Sequence, residues 1–358
     1  MTCAYLAFTS KGLALARKLA AAQPGAVARC GENGVTLANW TAAQFAQSDA
    51  LVFVGAVGIA VRAIAPHCRS KATDPAVVVL DECGRFAIPL LSGHLGGAND
   101  LARRLAKACD AVPVITTATD ANGVFAVDEW AKHQHCLVAE PARIKKVSGA
   151  LLAGRTVRFA SGWPIQGTPP AGVETAGGGR TGIKEQRPIQ GTPPAGVEPA
   201  GDAVQASFAL TITPTMTPNA LHIIPRIAVL GIGCKRGTPA DKLAYAFAAF
   251  CAETKLAPQS IAAAASIDLK KDELGLAEFG QKQGWPVTFY TADELRAAPG
   301  QFAHSDFVQS ITGVDNVCER AAVLAAGGPV WAHKWARNGV TFAVALRPFT
   351  PDWRWNDG

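Results

Sequence analysis

No two cysteines in this chain stand at C-x-x-C spacing. The nine that occur (3, 30, 68, 83, 109, 136, 234, 251, 318) are odd in number and scattered. That excludes a zinc knuckle or a disulfide framework as the organising device, and scattered thiols fit a reducing, cytoplasmic compartment. Dense Lys/Arg runs are also missing. With 34 basic and 28 acidic residues, net +6, the chain lacks the concentrated basic patch that nucleic-acid binding usually requires. Long hydrophobic runs are absent too. The longest uncharged apolar stretch, Ala50 to Val61, is far short of the roughly 20 residues that cross a bilayer. The N-terminus, MTCAYLAFTSKGLALARKLA, has a strand-then-helix pattern and no charged start before an apolar run, so no signal peptide is expected. These absences leave a soluble protein, with neither nucleic acid nor membrane as partner.

Hydrophobic residues make up 49% of the chain, enough for a substantial core, and 358 residues favour more than one domain. From 1 to 138, short apolar runs alternate with helical patterns. LVFVGA (51–56), AVVVL (76–80), FAIPLL (86–91) and VPVIT (112–116) are predicted strands; KGLALARKLAA (11–21) and ANDLARRLAKAC (98–109) are predicted helices. In the second helix Leu101, Leu105 and Cys109 fall on one face. Asp81 to Arg85 reads as a hairpin turn. The middle, 139–222, differs: PIQGTPPAGVE occurs at 164–174 and again at 188–198, amid Gly, Pro, Thr and Ala. Such composition buries too little surface to offset its ordering entropy, so about 161–203 is expected to be a partly disordered insertion. From 223 to 348 strands and helices alternate again, followed by a short tail to 358. The predicted fold class is α/β: two layered α/β domains joined by a Pro/Gly-rich segment.

Two glycine turns carry the chemistry. Ser92-Gly93-His94-Leu95-Gly96-Gly97-Ala98-Asn99 places a lone histidine between glycines ahead of a helix, where backbone N–H groups gather and an anion is stabilised. Imidazole relays protons near neutral pH. Ser92 and Asn99 would supply orienting or oxyanion-type hydrogen bonds, although Asn99 can equally be a helix N-cap. The second turn, Gly231-Ile232-Gly233-Cys234-Lys235-Arg236-Gly237, precedes Thr238-Pro239-Ala240-Asp241. Here Thr238 is the predicted N-cap, Pro239 the first helical residue and Asp241 the partner of a capping box. Its spacing, GxGxxxG, does not match a dinucleotide fingerprint; a carboxylate or phosphate is the expected ligand, a plain helix-capping turn the alternative. Thr116, Thr117, Thr119 and Asp120 follow a predicted strand, where open α/β sheets bind ligands; Asp120 can also be a turn former. Arg62 and Lys71 are candidate carboxylate clamps, with a solvated face or an Asp74–Lys71 pair as the alternative. Glu82 is a candidate acid/base in a hairpin tip.

Taken together, GIAVRAIAPHCRSKATDPAVVVLDECGRFAIPLLSGHLGGANDLARRLA and VPVITTATD resemble the N-terminal domain of the cobalt-precorrin-5A hydrolases of anaerobic cobalamin biosynthesis. GIGCKRGTPADKL, ASIDLKKDELGLAEF, TGVDNVCERAAVLAAGG and GVTFAVA resemble that family's C-terminal domain, which is itself similar to a short stand-alone protein of aerobic cobalamin biosynthesis. Of the family's middle domain, only LVAEPARIKKVSGALLAGRTVRFA (137–160) resembles the start, which implies a shortened middle region.

The resemblance implies a hydrolase that opens a δ-lactone on ring A of a corrinoid macrocycle and expels a two-carbon unit as acetaldehyde. It implies a corrinoid substrate, contacts with other enzymes of the same pathway, and no metal or organic cofactor of the protein's own, since cobalt arrives within the substrate. Such a reaction needs water activation, oxyanion stabilisation and then C–C cleavage. Chemical reasoning gives His94 the general-base role and the Gly96 and Gly97 amides the oxyanion role, with Asp120 or Glu82 orienting or shuttling the proton. Arg62, Lys71, Ser92, Gly93, Asn99, Thr116 and Thr117 would contact substrate, and Gly231, Gly233, Lys235 and Lys270 would grip its peripheral carboxylates. A non-catalytic corrinoid carrier and a nucleotide- or sugar-phosphate enzyme are the competing readings.

Overall fold

The computed structural model describes residues 1–70, 73–176 and 206–355. The chain divides into two compact units, Met1–Glu129 and Trp130–Gly358.

In the first unit the order is β1 (Cys3–Ala7), α1 (Ser10–Ala22), β2 (Gly25–Arg29), α2 (Leu37–Gln47), β3 (Ala50–Val54), α3 (Val57–Ile64), β4 (Ala76–Leu80), β5 (Phe86–Leu91), α4 (Ala98–Cys109), β6 (Val112–Pro113) and α5 (Ala118–Ala121). The sheet runs β2-β1-β3-β4-β5-β6. It is parallel except for the β4–β5 hairpin. Every residue of β1, β3 and β4 is buried, because helices cover both faces of a parallel sheet. Tyr5, Val52, Val78 and Leu80 pack with Leu19, Leu101 and Leu105 on one face. On the other face Leu6, Phe53 and Val79 pack with Ile64 and Trp40. This is the period-2 alternation of strands laid against the 3.6-residue stripe of helices. The hairpin is held by Asp81, whose carboxylate accepts from the N–H groups of Cys83, Arg85 and Phe86. Thr9 caps α1 by accepting from the Gly12 N–H. The predicted strand 112–116 shortens to the two residues of β6, and the Thr/Asp segment beyond it enters α5.

The division between units falls within α6 (Val127–His133). The second unit continues with β7 (Cys136–Val138), α7 (Pro141–Leu152), β8 (Val157–Ser161), β9 (Val173–Thr175), β10 (Phe208–Leu210) and β11 (Leu221–Pro225), which form a sheet in the order β7-β11-β10-β8-β9. Pro141 opens α7, and Ile144, Val147 and Leu151 face inward. Trp130 packs with Phe159, Phe208 and Trp353. The middle of the chain therefore carries a sheet of its own. Of the expected insertion 161–203, residues 161–176 belong to this fold: Gln166 bridges to Asp352, and β9 pairs in parallel with β8. Composition misleads here because one strand and a few backbone hydrogen bonds suffice to anchor a Pro/Gly-rich stretch. Residues 177–203, with the second copy of the repeat, lie outside the described residues.

The C-terminal part is β12 (Ala228–Cys234), α8 (Ala240–Thr254), β13 (Ile261–Ile267), α9 (Leu274–Gln283), β14 (Val287–Tyr290), α10 (Ala292–Arg296), α11 (Asp306–Thr312), α12 (Val317–Ala326), β15 (Val330–Arg337) and β16 (Val340–Leu346). Its sheet runs β14-β13-β12-β16-β15. Phe247 and Phe250 of α8 pack on one face with Leu230, Phe279 and Phe342. Ala321 and Ala322 of α12 pack on the other with Val229, Ala265 and Ala345. Among the described residues no helix is long and apolar enough to cross a membrane.

Candidate functional site

The chain backbone around His94 folds back on itself. Ser92 sits in the left-handed region (φ 57°) and is fixed by its hydroxyl, which donates to the Asp74 carbonyl at 2.8 Å. The Ala98 N–H returns to the Ser92 carbonyl, Asn99 N–H to Gly93 and Gly97 N–H to His94, at 2.9–3.1 Å. Glycine is required where the loop crosses itself. A Cβ on Gly96 would lie 2.3 Å from Ser92 Cβ, and one on Gly93 would lie 2.8 Å from Asn99 Oδ1. The oxyanion role expected of the Gly97 amide is therefore not available: that N–H is spent on His94. The Gly96 N–H is not engaged by the chain among the described residues.

This turn and α5 and α6 converge on the imidazole. His94 Nε2 lies 2.9 Å from Asp120 Oδ2, and Nδ1 lies 3.1 Å from Asp128 Oδ2. Glu129 Oε1 stands 3.4 Å from Nε2, as does Thr119 Oγ1. Arg103 of α4 holds Asp120 and Asp100. Asn99 is buried and does not cap the helix, whose N-cap is Gly97. Instead its amide donates to Thr117 Oγ1 at 3.0 Å and Asp120 Oδ2 at 3.3 Å. Burial pushes the His94 pKa down, but the Asp128 hydrogen bond and the charges of Asp128, Glu129 and Asp120 outweigh it and raise it to about 9. Burial raises Glu129 to about 7, opposed by His94 and reinforced by Asp120. An imidazole held this way carries its proton at neutral pH, so the free site does not present His94 as a ready base.

The structure thus brings Ser92, Gly93, His94, Gly96, Gly97, Asn99, Thr117 and Asp120 into one neighbourhood. Sequence reasoning missed Asp128, Glu129 and Arg103. The signal was an Asp-Glu pair inside the run FAVDEWA (125–131), every residue of which is buried. Two acids in an apolar run need partners, and here they find His94. Glu82 is elsewhere, accepting from Thr9 Oγ1 at 2.7 Å. Arg62 donates to the Gly58 carbonyl of its own helix, Thr116 is exposed, and Lys71 lies outside the described residues. None of the described contacts ties Glu82, Arg62 or Thr116 to His94.

The second glycine turn differs from its expected form. Gly231 and Gly233 are strand residues of β12, paired antiparallel with Ala343 and Thr341, so they do not cradle an anion. A Cβ on Gly231 would come within 1.8 Å of the Cys318 carbonyl oxygen, and one on Gly233 within 2.4 Å of Thr341 Oγ1. These glycines let α12 and β16 approach the strand. Helix α8 starts one residue later than expected: Pro239 is the N-cap without a side-chain bond, and Thr238 Oγ1 donates to the Lys235 carbonyl. The turn's anion comes from the chain itself. Glu273 Oε2 accepts from the Gly237 N–H at 2.7 Å, Lys270 Nζ lies 3.2 Å from Oε1, and Arg236 approaches to 3.9 Å. The Gly237 bond, with Lys270 and Arg236, holds the Glu273 carboxyl below its usual range. Lys235 lays its methylenes along Gly339.

Residues 39–120 match the cobalamin synthesis G N-terminal family model and residues 228–345 the cobalamin synthesis G C-terminus model. A cobalt-precorrin-5A hydrolase of Salmonella typhimurium is 34% identical over 96% of this chain and 97% of its own length. The chain belongs to the cobalt-precorrin-5A hydrolase family. A second member, from Priestia megaterium, is 32% identical over 85% of this chain and 80% of its own length. Protein CobE of a Sinorhizobium species is 34% identical over 28% of this chain and 65% of its own length. His94 and Asp120 fall inside the N-terminal match, whereas Asp128 and Glu129 lie just past its end. The family is one of hydrolases.

Proposed function

We propose that this chain is a cobalt-precorrin-5A hydrolase that opens the ring A δ-lactone of a corrinoid and releases a two-carbon fragment as acetaldehyde. Family membership supports the reaction. The observation that supports the His94 cluster as its site is the convergence of Asp120, Asp128 and Glu129, three acids at 2.9–3.4 Å, on one part-buried imidazole. Water loses a proton to this cluster and its oxygen bonds to the lactone carbonyl carbon. The carbonyl electrons move to oxygen, where the Gly96 N–H, unengaged by the described residues, is one backbone donor of the turn. Collapse breaks the ring C–O bond and leaves a carboxylate and, after protonation, a secondary alcohol. Loss of the alcohol proton then forms the aldehyde C=O as the C–C bond to the macrocycle breaks. The bonding pair passes into the electron-poor macrocycle, so no oxidant or reductant is consumed.

Lys235 and Arg236, exposed on the second turn, are cations that suit a carboxylate. The cobalt travels with the substrate, and the partners of the protein are the corrinoid and neighbouring enzymes of the same biosynthesis. Anaerobic incubation of the purified protein with cobalt-precorrin-5A, followed by measurement of acetaldehyde, tests the proposal. Stoichiometric acetaldehyde that is lost in Glu129→Gln is the expected result. Tight corrinoid binding with no acetaldehyde would replace it with the carrier reading. Stabilisation by nucleotides and not by corrinoids would favour the nucleotide-enzyme reading.

A further inference from the structure

Two buried glutamates of this protein have opposite surroundings. Glu319, in α12, is fully buried and both its oxygens are satisfied: Oε1 accepts from the Lys334 N–H at 2.6 Å and faces His333, and Oε2 accepts from the Ala303 N–H at 3.1 Å. That is how a structural carboxylate is kept inside a fold. Glu129 is 3% exposed, and its Oε1 has no hydrogen-bond partner among the described residues. A buried carboxylate oxygen without a donor is costly. Here it points at His94 Nε2, beside Asp120 and across the ring from Asp128. Four acids (Asp100, Asp120, Asp128 and Glu129) gather around Arg103 and His94, an excess of negative charge among largely buried groups.

We propose that His94 Nε2, Asp120 Oδ2 and Glu129 Oε1 hold a divalent transition-metal cation. The three atoms lie within 4.8 Å of one another. Two of the separations, 2.9 and 3.4 Å, match those of ligands sitting roughly 2.0–2.2 Å from one ion, the usual distance for imidazole nitrogen and carboxylate oxygen. Asp128 provides what such a histidine needs behind it. By accepting from Nδ1–H it holds the ring so that a cation displaces the proton from Nε2, the carboxylate–histidine–metal arrangement. Arg103 and Asn99 orient Asp120 in the same way. One imidazole and two carboxylates, with no thiolate, select zinc, manganese, iron(II) or cobalt(II) over soft ions such as copper(I). Three protein ligands leave a position for water, whose proton the cation makes easier to lose, and for the lactone carbonyl it polarises. This ion is distinct from the cobalt of the corrinoid, and it departs from the sequence-based expectation that the protein needs no metal of its own. Its catalytic role, though not its binding, rests on the hydrolase reading.

The test uses the full chain, stripped with chelator and titrated with Co²⁺, followed by calorimetry and visible absorption. One equivalent is expected to bind the wild type with the spectrum of nitrogen and oxygen ligands. Glu129→Gln is expected to weaken binding by 100-fold or more, and Asp128→Asn by about 10–100-fold, while exposed Glu174→Gln binds as the wild type does. Circular dichroism checks that each variant is folded, and the near-isosteric Glu129→Gln guards against the collapse that His94→Ala could cause. The proposal fails if the wild type binds no Co²⁺ up to millimolar concentration. It fails equally if Glu129→Gln binds as tightly as wild type, or if the bound ion carries a thiolate charge-transfer band. Binding without acetaldehyde release would leave the metal site standing and remove the hydrolase reading. Full turnover in stripped enzyme under chelator would overturn the catalytic role of the ion and leave its binding to the titration.

Discussion

Replacing Gly231 with alanine puts a methyl group 1.8 Å from the Cys318 carbonyl oxygen, 2.7 Å from its carbon and 3.0 Å from Ala322 Cβ. Two of the three obstructing atoms are helix backbone, so no rotamer change relieves the clash. Helix α12 must retreat from β12 by roughly 1 Å, in a core packed as densely as a crystal. Its face carries Val317, Ala321, Ala322 and Ala326, all in the cluster that covers the sheet, and small side chains cannot refill a gap of that kind. Overpacking costs about 1–3 kcal/mol, and a backbone obstruction belongs at the upper end. For a unit of this size about 3 kcal/mol corresponds to a fall of about 6–12 °C in Tm. Urea unfolding followed by tryptophan fluorescence reports it, since Trp285, Trp331 and Trp335 pack in the same sheet's core. An unchanged midpoint together with weakened corrinoid binding would refute this reasoning and return Gly231 to the ligand role its sequence suggested.

Asn99→Ala removes the amide that donates to Thr117 and Asp120 from a buried position. A loss of about 1–3 kcal/mol in stability is expected in denaturant titration, with a fall in kcat for acetaldehyde release and little change in KM. Equal effects on a remote Thr→Ala control would contradict the orienting role. Glu273→Gln is expected to lower stability at neutral pH, because the native carboxyl is held below its unfolded value. A group depressed in this way stabilises above its unfolded pKa and ceases to as pH falls through the folded one, so the gap between wild type and variant should close below about pH 4. Melting curves across pH 3 to 8 check this, and a gap that widened in acid would refute it.

Much of the fold was legible because its signals are local. Uniformly apolar runs such as AVVVL marked strands buried on both faces, and Leu101, Leu105 and Cys109 marked the buried stripe of α4. The SGHLGGAN turn stood out because two of its glycines are forced by close approach of the chain to itself. Gly231 and Gly233 give the same signal for another reason, the approach of a helix and a neighbouring strand, and residue type alone does not separate the two. Asp128 and Glu129 were illegible because acids in the first turn of a helix ordinarily serve its dipole in water. Only the packing around α6 reveals that both are buried. The middle sheet escaped notice because its strands are short, and β8 and β10 are separated by the repeats.

The Glu273 carboxylate seated on the Gly237 amide has a consequence for selectivity. A site already filled by an ion of its own chain rejects dilute anions, because a newcomer must displace a competitor held at an effective concentration of at least millimolar. Chloride or free phosphate gains little there. On the reading that this turn meets substrate carboxylates, a macrocycle bearing several of them would exchange one for Glu273 while others stay anchored, and the turn would discriminate by valency instead of by charge.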